Sequence, residues 1–378
     1  MTKKTRTILF LGCLLIFIFF APTAILYSQG YRFNFNLEDG KKLITRTGGV
    51  FLKVQPRQAE VYLNGKLKDK TDFLFGSLLI ENLLPEKYKI EVKKPNYHSW
   101  QKNLEVKEKE VTEAKNIVLF PENLEFTTLT EGILAFWPSP NQNIIILEEE
   151  DESGWVLSSY DTEKELKNQL MKQADLALKN ADLADLEFSE ETGEVILKIQ
   201  IAEEIRYFSF DPSDNPIKIT EIKKPEEKKY IFFDYTFKEE NDVLSVSNPD
   251  SKEFEELFDS LKGFKPSPDS DKIVYFSNYE IWIMFLQGYD RVLQKQAGDK
   301  MFLIRLSENI GDVFWLNPKY LLFNAGGNIK IMEIDNRDRL NIVDITQIKN
   351  PELFWNKQEK RIYILSENKL SRSLPLLP

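Results

Sequence analysis

The dipeptide Phe-Trp occurs three times, at Phe136-Trp137, Phe314-Trp315 and Phe354-Trp355. With 27 Phe and 6 Trp in 378 residues, chance supplies about 0.4 such pairs, so the recurrence marks an internal repeat. Each pair precedes a polar turn (residues 138–143, 316–319 and 356–360), and a second apolar segment follows (144–147, 320–323 and 362–365). Two variants lack the Trp: Phe188 ahead of 195–197, and Phe264 ahead of 273–275. The aromatics at 136, 188, 264, 314 and 354 stand 52, 76, 50 and 40 residues apart, and the long gap has room for a further unit centred on 232–246. A period of 40–50 with four strands per unit is that of propeller blades. The expected fold of residues 121–378 is an irregular β-propeller of about six blades, irregular at the third, with five or seven also fitting the spacing. The unit from Phe264 shows the pattern best, with strands expected near 264, 273–276, 281–286 and 301–306.

Pro266-Ser267-Pro268-Asp269-Ser270 resembles the turn of TolB-like and WD40-like propeller repeats, where an aromatic is followed by Ser-Pro-Asp-Gly; here Ser270 replaces the Gly. The last unit offers three strands of its own, near 353–355, 362–365 and 369–374. The segment 124–129 is therefore expected to supply the missing outer strand, since an unjoined seam keeps open edges. Two segments predict helices. Thr162 and Glu165 read as a capping box before Leu166, Leu170 and Ala174, giving a helix near 163–179. Asp250 and Glu253 read the same way before Phe254, Leu257, Phe258 and Leu261, with Gly263 as the stop.

Residues 48–120 carry short alternating segments: Val50, Leu52 and Val54; Val61 and Leu63; Tyr88, Ile90 and Val92; Leu104 and Val106; then Ile117 to Leu119. Asn64-Gly65 supplies the two positive-φ residues of a type I′ hairpin. Six or seven such strands predict a small β-sandwich. The runs Pro56-Arg57-Gln58-Ala59-Glu60-Val61-Tyr62-Leu63-Asn64-Gly65-Lys66, Leu83-Leu84-Pro85-Glu86-Lys87-Tyr88 and Lys94-Pro95-Asn96-Tyr97 resemble the PEGA domain. Gln58 stands where that family usually has Gly, and Glu86-Lys87 where it has Pro-Gly. The resemblance implies a noncatalytic sandwich of envelope proteins and supplies no site residues.

Residues 8–26 form a run of 19 without a charge, behind Lys3, Lys4 and Arg6. As a helix they span roughly 28 Å, about the hydrocarbon thickness of a bilayer. The reading is a cytoplasmic basic tail (1–7), a single-pass transmembrane anchor (8–27) with Tyr27 and Tyr31 at the interface, and a linker (28–47) leading to an extracytoplasmic body. The same run fits a cleaved signal peptide, with 8–20 as its apolar core and Ser28-Gln29-Gly30 as the cleavage site. Leu11-Gly12-Cys13 also resembles a lipidation box, although the apolar run continues past Cys13.

The formal net charge of -10 opposes binding to phosphate backbones, so no nucleic-acid partner is expected. Cys13 is the only cysteine and His98 the only histidine, which removes Cys/His zinc sites and disulfides from the body. His98 with Trp100 reads as a ligand-stacking or acid-base pair, or as loop aromatics covering the end of the sandwich. Asp269 with Asp271, and Asp335 with Asp338, invite calcium but lack EF-hand spacing, and turn Asp usually bonds its own backbone. The run Glu148 to Glu152 reads as a solvated loop, and Gly326-Gly327 as a hairpin turn. No catalytic, cofactor-binding or metal-ligating residue stands out. The expected function is therefore a membrane-anchored extracytoplasmic binding or scaffolding protein, not an enzyme, with a protein or glycan partner on the propeller. The alternatives are an extracytoplasmic hydrolase of glycan or peptide using carboxylates in the propeller channel, and a subunit of an envelope assembly.

Overall fold

The computed structural model describes residues 3–33, 43–178, 180–189, 191–225, 229–247 and 253–377. The chain is mainly β and divides into two units: Met1–Phe120 with Asp335–Asn341, and Pro121–Ile334 with Ile342–Pro378.

The first unit begins with the helix Lys3–Ser28, 26 residues long with no buried side chain and Pro22 inside it. At 1.5 Å per residue it reaches about 39 Å. The segment expected as a plain linker is partly paired: Tyr31–Phe33 runs antiparallel to Ile44–Arg46. Gly30, at φ 81, turns the chain there, and its carbonyl accepts the N–H of Thr47 at 2.9 Å. The Arg46 guanidinium stacks over the Tyr31 ring. Cross-strand partners of this kind are what a polar stretch lacks when it is read one residue at a time.

Seven strands follow, in two sheets. Gly48–Gln55 lies between Ser77–Leu83 and Val111–Val118, the latter parallel to it. The other sheet has the order Lys66–Lys70, Glu60–Leu63, Lys87–Lys93, Trp100–Glu105. Val50, Leu52 and Val54 from the first meet Val61, Ile90, Val92 and Leu104 from the second in one core. Each such side chain contributes about 1.5–3 kcal/mol when fully buried. Period-two patterning put these residues on one face, as expected. Asn64 and Gly65 take φ 48 and 77, the hairpin geometry their types require.

The second unit contains six four-stranded antiparallel sheets among the described residues. In chain order they open with the strands Ile133–Pro138, Ala181–Phe188, Lys229–Phe232, Gly263–Pro266, Ile310–Asn317 and Glu352–Asn356. Each of the first five is a meander, and every sheet stays open with two edges. The sixth has three consecutive strands, Glu352–Asn356, Arg361–Ser366 and Lys369–Ser373, and Phe126–Glu131 completes it as the outermost strand. This is the pairing expected of 124–129, displaced by two residues. Successive four-stranded meanders with a borrowed strand in the last are the arrangement of a β-propeller. Shared apolar clusters bind neighbours face to face. Ile146 and Leu157 of the first sheet meet Leu197 and Phe208 of the second. Phe354, Tyr363 and Leu370 of the sixth meet Ile133 and Leu147 of the first. Phe237 and Leu244 of the third meet Ile273 and Tyr275 of the fourth.

Three expectations are corrected. Neither helix forms. Leu166–Lys172 is the outer strand of the first sheet and only Gln173–Leu176 coils, as a single 3-10 turn. Thr162 donates its hydroxyl to Asn143 O instead of capping, and Glu165 sits at φ 56, which no α-helix accommodates. Phe254–Phe258 likewise pairs with Val243–Ser247, and Gly263 opens the next strand instead of ending a helix; Asp250 lies outside the described residues. In both cases an unfinished sheet edge offers a full row of donors and acceptors. That outweighs the marginal stability of a short amphipathic helix. The acidic run is not a loop: Glu148 to Asp151 finish the strand Ile144–Asp151. The third sheet is an ordinary meander, and the irregularity falls in the fourth, where Tyr289–Asp290 pairs with Lys295–Gln296 between its last two strands.

Candidate functional site

The opening strands of the first, fourth, fifth and sixth sheets border a common cavity of about 460 Å3. Phe136, Phe314 and Phe354, the aromatic of each Phe-Trp pair, line it. Strand alternation sends the adjacent Trp to the other face. Trp315 is buried there and donates its indole N–H to Lys265 O at 3.0 Å. The repeat thus makes both a wall of the cavity and a wedge between sheets.

The polar groups are few and connected. The Lys265 ammonium donates to both carboxylate oxygens of Asp312, at 2.7 and 2.8 Å, and lies 3.5 Å from the centre of the Phe314 ring. Burial pulls the Lys265 pKa down, and Asp312 opposes that shift. Asp312 Oδ1 also accepts the Val313 N–H at 2.7 Å, while the Asp312 N–H donates to Asn324 Oδ1 at 2.9 Å. Asn324 Nδ2 donates in turn to Pro351 O at 2.8 Å. One chain of bonds therefore crosses from the fourth sheet through the fifth to the sixth. Gly311 leaves room for it, since a Cβ there would meet the Asn324 side chain at 2.2–2.5 Å. The Glu352 carboxylate borders the same cavity with no hydrogen-bond or ion-pair partner among the described residues, and although the residue is exposed overall, partial desolvation of the carboxyl raises its pKa.

Chemically this is an aromatic-walled cavity with one ammonium already matched and one carboxylate left over. A second cavity of about 440 Å3 lies between the second and third sheets, bordered by Asp185, Glu187, Lys198, Tyr207, Glu239 and Asp242 among others. Burial, reinforced by Asp242, raises the Glu239 pKa.

The residues singled out from sequence lie elsewhere. Trp100 is in the core of the first unit, and His98 is half-buried with its backbone N–H on Phe120 O at 2.8 Å, so the two form no open stacking pair. Asp269 accepts from Ser267 Oγ at 2.5 Å and from Lys272 Nζ at 3.2 Å within its own turn, and Ser270 adopts φ 60 in the Gly position. Asp335 is engaged by Lys102 and Arg337, and Asp338 by Asn103. Gly326 and Gly327, at φ 57 and 81, close a hairpin. Among the described residues no group of three or more His, Cys, Asp or Glu is placed to hold a metal ion. Sequence reading missed Lys265, Asp312, Asn324 and Glu352. One signal was present: Asp312 and Glu352 each stand two residues before a repeat Phe, hence on the same strand face.

No family model matches the sequence, and no curated protein matches it. Among solved structures, a gluconolactonase from Xanthomonas campestris is 12% identical with a TM-score of 0.41, over 67% of this chain and 90% of that one. A luciferin-regenerating enzyme is 10% identical with a TM-score of 0.40, over 67% and 95%. TolB from Acinetobacter baumannii is 14% identical with a TM-score of 0.34, over 70% and 61%. Enzymes and non-enzymes both occur among such structures, and the blade arrangement stands on the sheet order itself.

Proposed function

We propose that this chain is a membrane-anchored extracytoplasmic binding or scaffolding protein. A PEGA-like β-sandwich serves as spacer, and the propeller channel recognises a protein or glycan partner. The membrane part rests on the helix Lys3–Ser28, which is long and apolar enough to cross a bilayer and equally fits a signal peptide. The observation that carries the binding reading is the state of Asp312. Both of its oxygens are taken by Lys265, so the channel offers one unencumbered carboxylate, Glu352. Hydrolysis of a glycoside by a carboxylate pair needs two. An aromatic wall with sparse, fixed polar groups is the usual make-up of a recognition pocket. The second reading, a hydrolase of glycan or peptide, is favoured by one fact: the raised pKa of Glu352 suits a general acid.

Photocrosslinking separates the two. With a benzoylphenylalanine at position 354 of the full chain, the binding reading expects adducts with a protein or glycan that disappear on Lys265→Glu. Turnover of a glycan or peptide library that Glu352→Gln abolishes in a folded chain assigns the hydrolase instead.

A further inference from the structure

Outside the N-terminal helix, the longest run of exposed large apolar side chains among the described residues is Phe73-Leu74-Phe75, at 69%, 58% and 68% exposure. It occupies the turn between Lys66–Lys70 and Ser77–Leu83. The backbone beneath is fixed. The Asp72 carboxylate accepts the N–H of Leu74 at 2.8 Å, of Phe75 at 2.7 Å and of Ser77 at 2.6 Å, and the Ser77 hydroxyl at 2.5 Å. Gly76, at φ 68, accepts the Val54 N–H at 2.9 Å, and a Cβ on it would stand 2.3 Å from Val54 O. The turn is therefore held in shape while its three side chains stay largely in water. A fixed apolar knob of this kind marks a surface that is covered by something else.

Charge says what covers it. Every residue of Lys66–Lys70 is exposed, three of the five being lysines, and Arg57 stands against Gly76 on the other side. Beyond the helix, residues 29–120 carry 17 basic against 12 acidic residues, a net +5, whereas residues 121–378 carry 30 against 48, a net -18. An anionic surface attracts the first unit and repels the second. The apolar helix belongs to the same first unit.

We propose that the Phe73-Leu74-Phe75 turn inserts into the interfacial layer of a bilayer carrying anionic headgroups, as a second attachment beside the helix. The proposal rests on reading Lys3–Ser28 as membrane-seated. An apolar insertion and a basic flank are the two signals that stable attachment takes. The geometry adds a constraint. The helix arrives at the start of Gly48–Gln55, where Thr47 bonds Gly30, and the turn is tied to the far end at Val54. That strand is roughly 25 Å long, so both points reach one bilayer only if the strand lies along the membrane plane.

The test uses the full chain with Cys13→Ser and Leu74→Cys carrying an environment-sensitive fluorophore, in vesicles of phosphatidylcholine alone or mixed with phosphatidylglycerol. The expected result is a blue-shifted emission, quenched by headgroup-proximal nitroxide lipids, in the mixed vesicles. The shift is lost on Lys68→Glu with Lys70→Glu, while a label at Asn64→Cys stays aqueous throughout. A chain that floats with the vesicles while the position-74 label remains aqueous overturns the insertion and leaves the anchor standing. A chain that does not float overturns both. A shift that is equal in neutral vesicles and grows with protein density assigns the turn to a second copy, and also overturns the proposal.

Discussion

Gly311→Ala tests the bond network that lines the cavity. Gly311 has no positive φ, so an alanine is tolerated by the backbone and by itself stabilises by about 0.4–1 kcal/mol through the unfolded chain. Its Cβ, however, would lie 2.2–2.5 Å from the Asn324 side chain. Asn324 must then leave, and the Asp312 N–H and the Pro351 carbonyl lose their partners. Each group left unsatisfied costs about 1–3 kcal/mol, which puts the substitution at about 2–6 kcal/mol less the small entropic gain. Asn324→Ala loses the same two bonds and costs a similar amount. With Asn324 already truncated there is nothing to collide with, so the double variant is expected to be as stable as Asn324→Ala alone or more stable by the entropic gain of about 0.4–1 kcal/mol. The coupling should be about 2 kcal/mol or more. Urea unfolding of the full chain and its three variants, followed by tryptophan fluorescence, reads this as shifts in midpoint at constant slope. Costs that add to within about 0.5 kcal/mol refute the close approach as the cause.

Truncation after Ser366 removes Lys369–Ser373, with the fully buried Leu370, and leaves Phe126–Glu131 and Arg361–Ser366 without their shared neighbour. Losing a buried Leu costs about 2–5 kcal/mol and each unmade ladder bond about 1 kcal/mol, a sum that rivals a whole domain's stability. The truncated chain should show no cooperative melt of the second unit by calorimetry; an unchanged melt refutes the seam. For Asp72, the Ser77 hydroxyl and three backbone N–H groups hold the carboxyl at about 2, against an ordinary 3.8. A depressed folded pKa stabilises above the ordinary value and stops doing so as pH falls through the folded one. The gap in melting temperature between the native chain and Asp72→Asn should therefore be flat above pH 5 and close between about pH 4 and 2. A gap that does not change across that window would rule out the carboxylate as the brace of the turn.

Periodicity, turn chemistry and repetition settled much of this protein before any coordinates. The Phe-Trp recurrence placed units along the second unit, and in the three sheets that carry the pair the Phe lines one cavity. Val50, Leu52 and Val54, like Ile90 and Val92, announced their buried face because a strand's period is two. Asn64-Gly65 and Gly326-Gly327 announced hairpins because few residues tolerate positive φ. Thr162 to Ala174 and the segment around Phe254 look helical alone, yet each became a strand because the strand just before it, itself one member of a four-stranded sheet, left an open edge. The Lys265–Asp312–Asn324–Pro351 chain was invisible because its members lie far apart in sequence. Lys265 and Asp312 are 47 residues apart, and each taken singly is an ordinary surface residue type. Only folding brings the ammonium, the carboxylate and the Phe314 ring together. A pair's electrostatic worth depends on distance and on the water excluded around it, and the order of residues along a chain specifies neither.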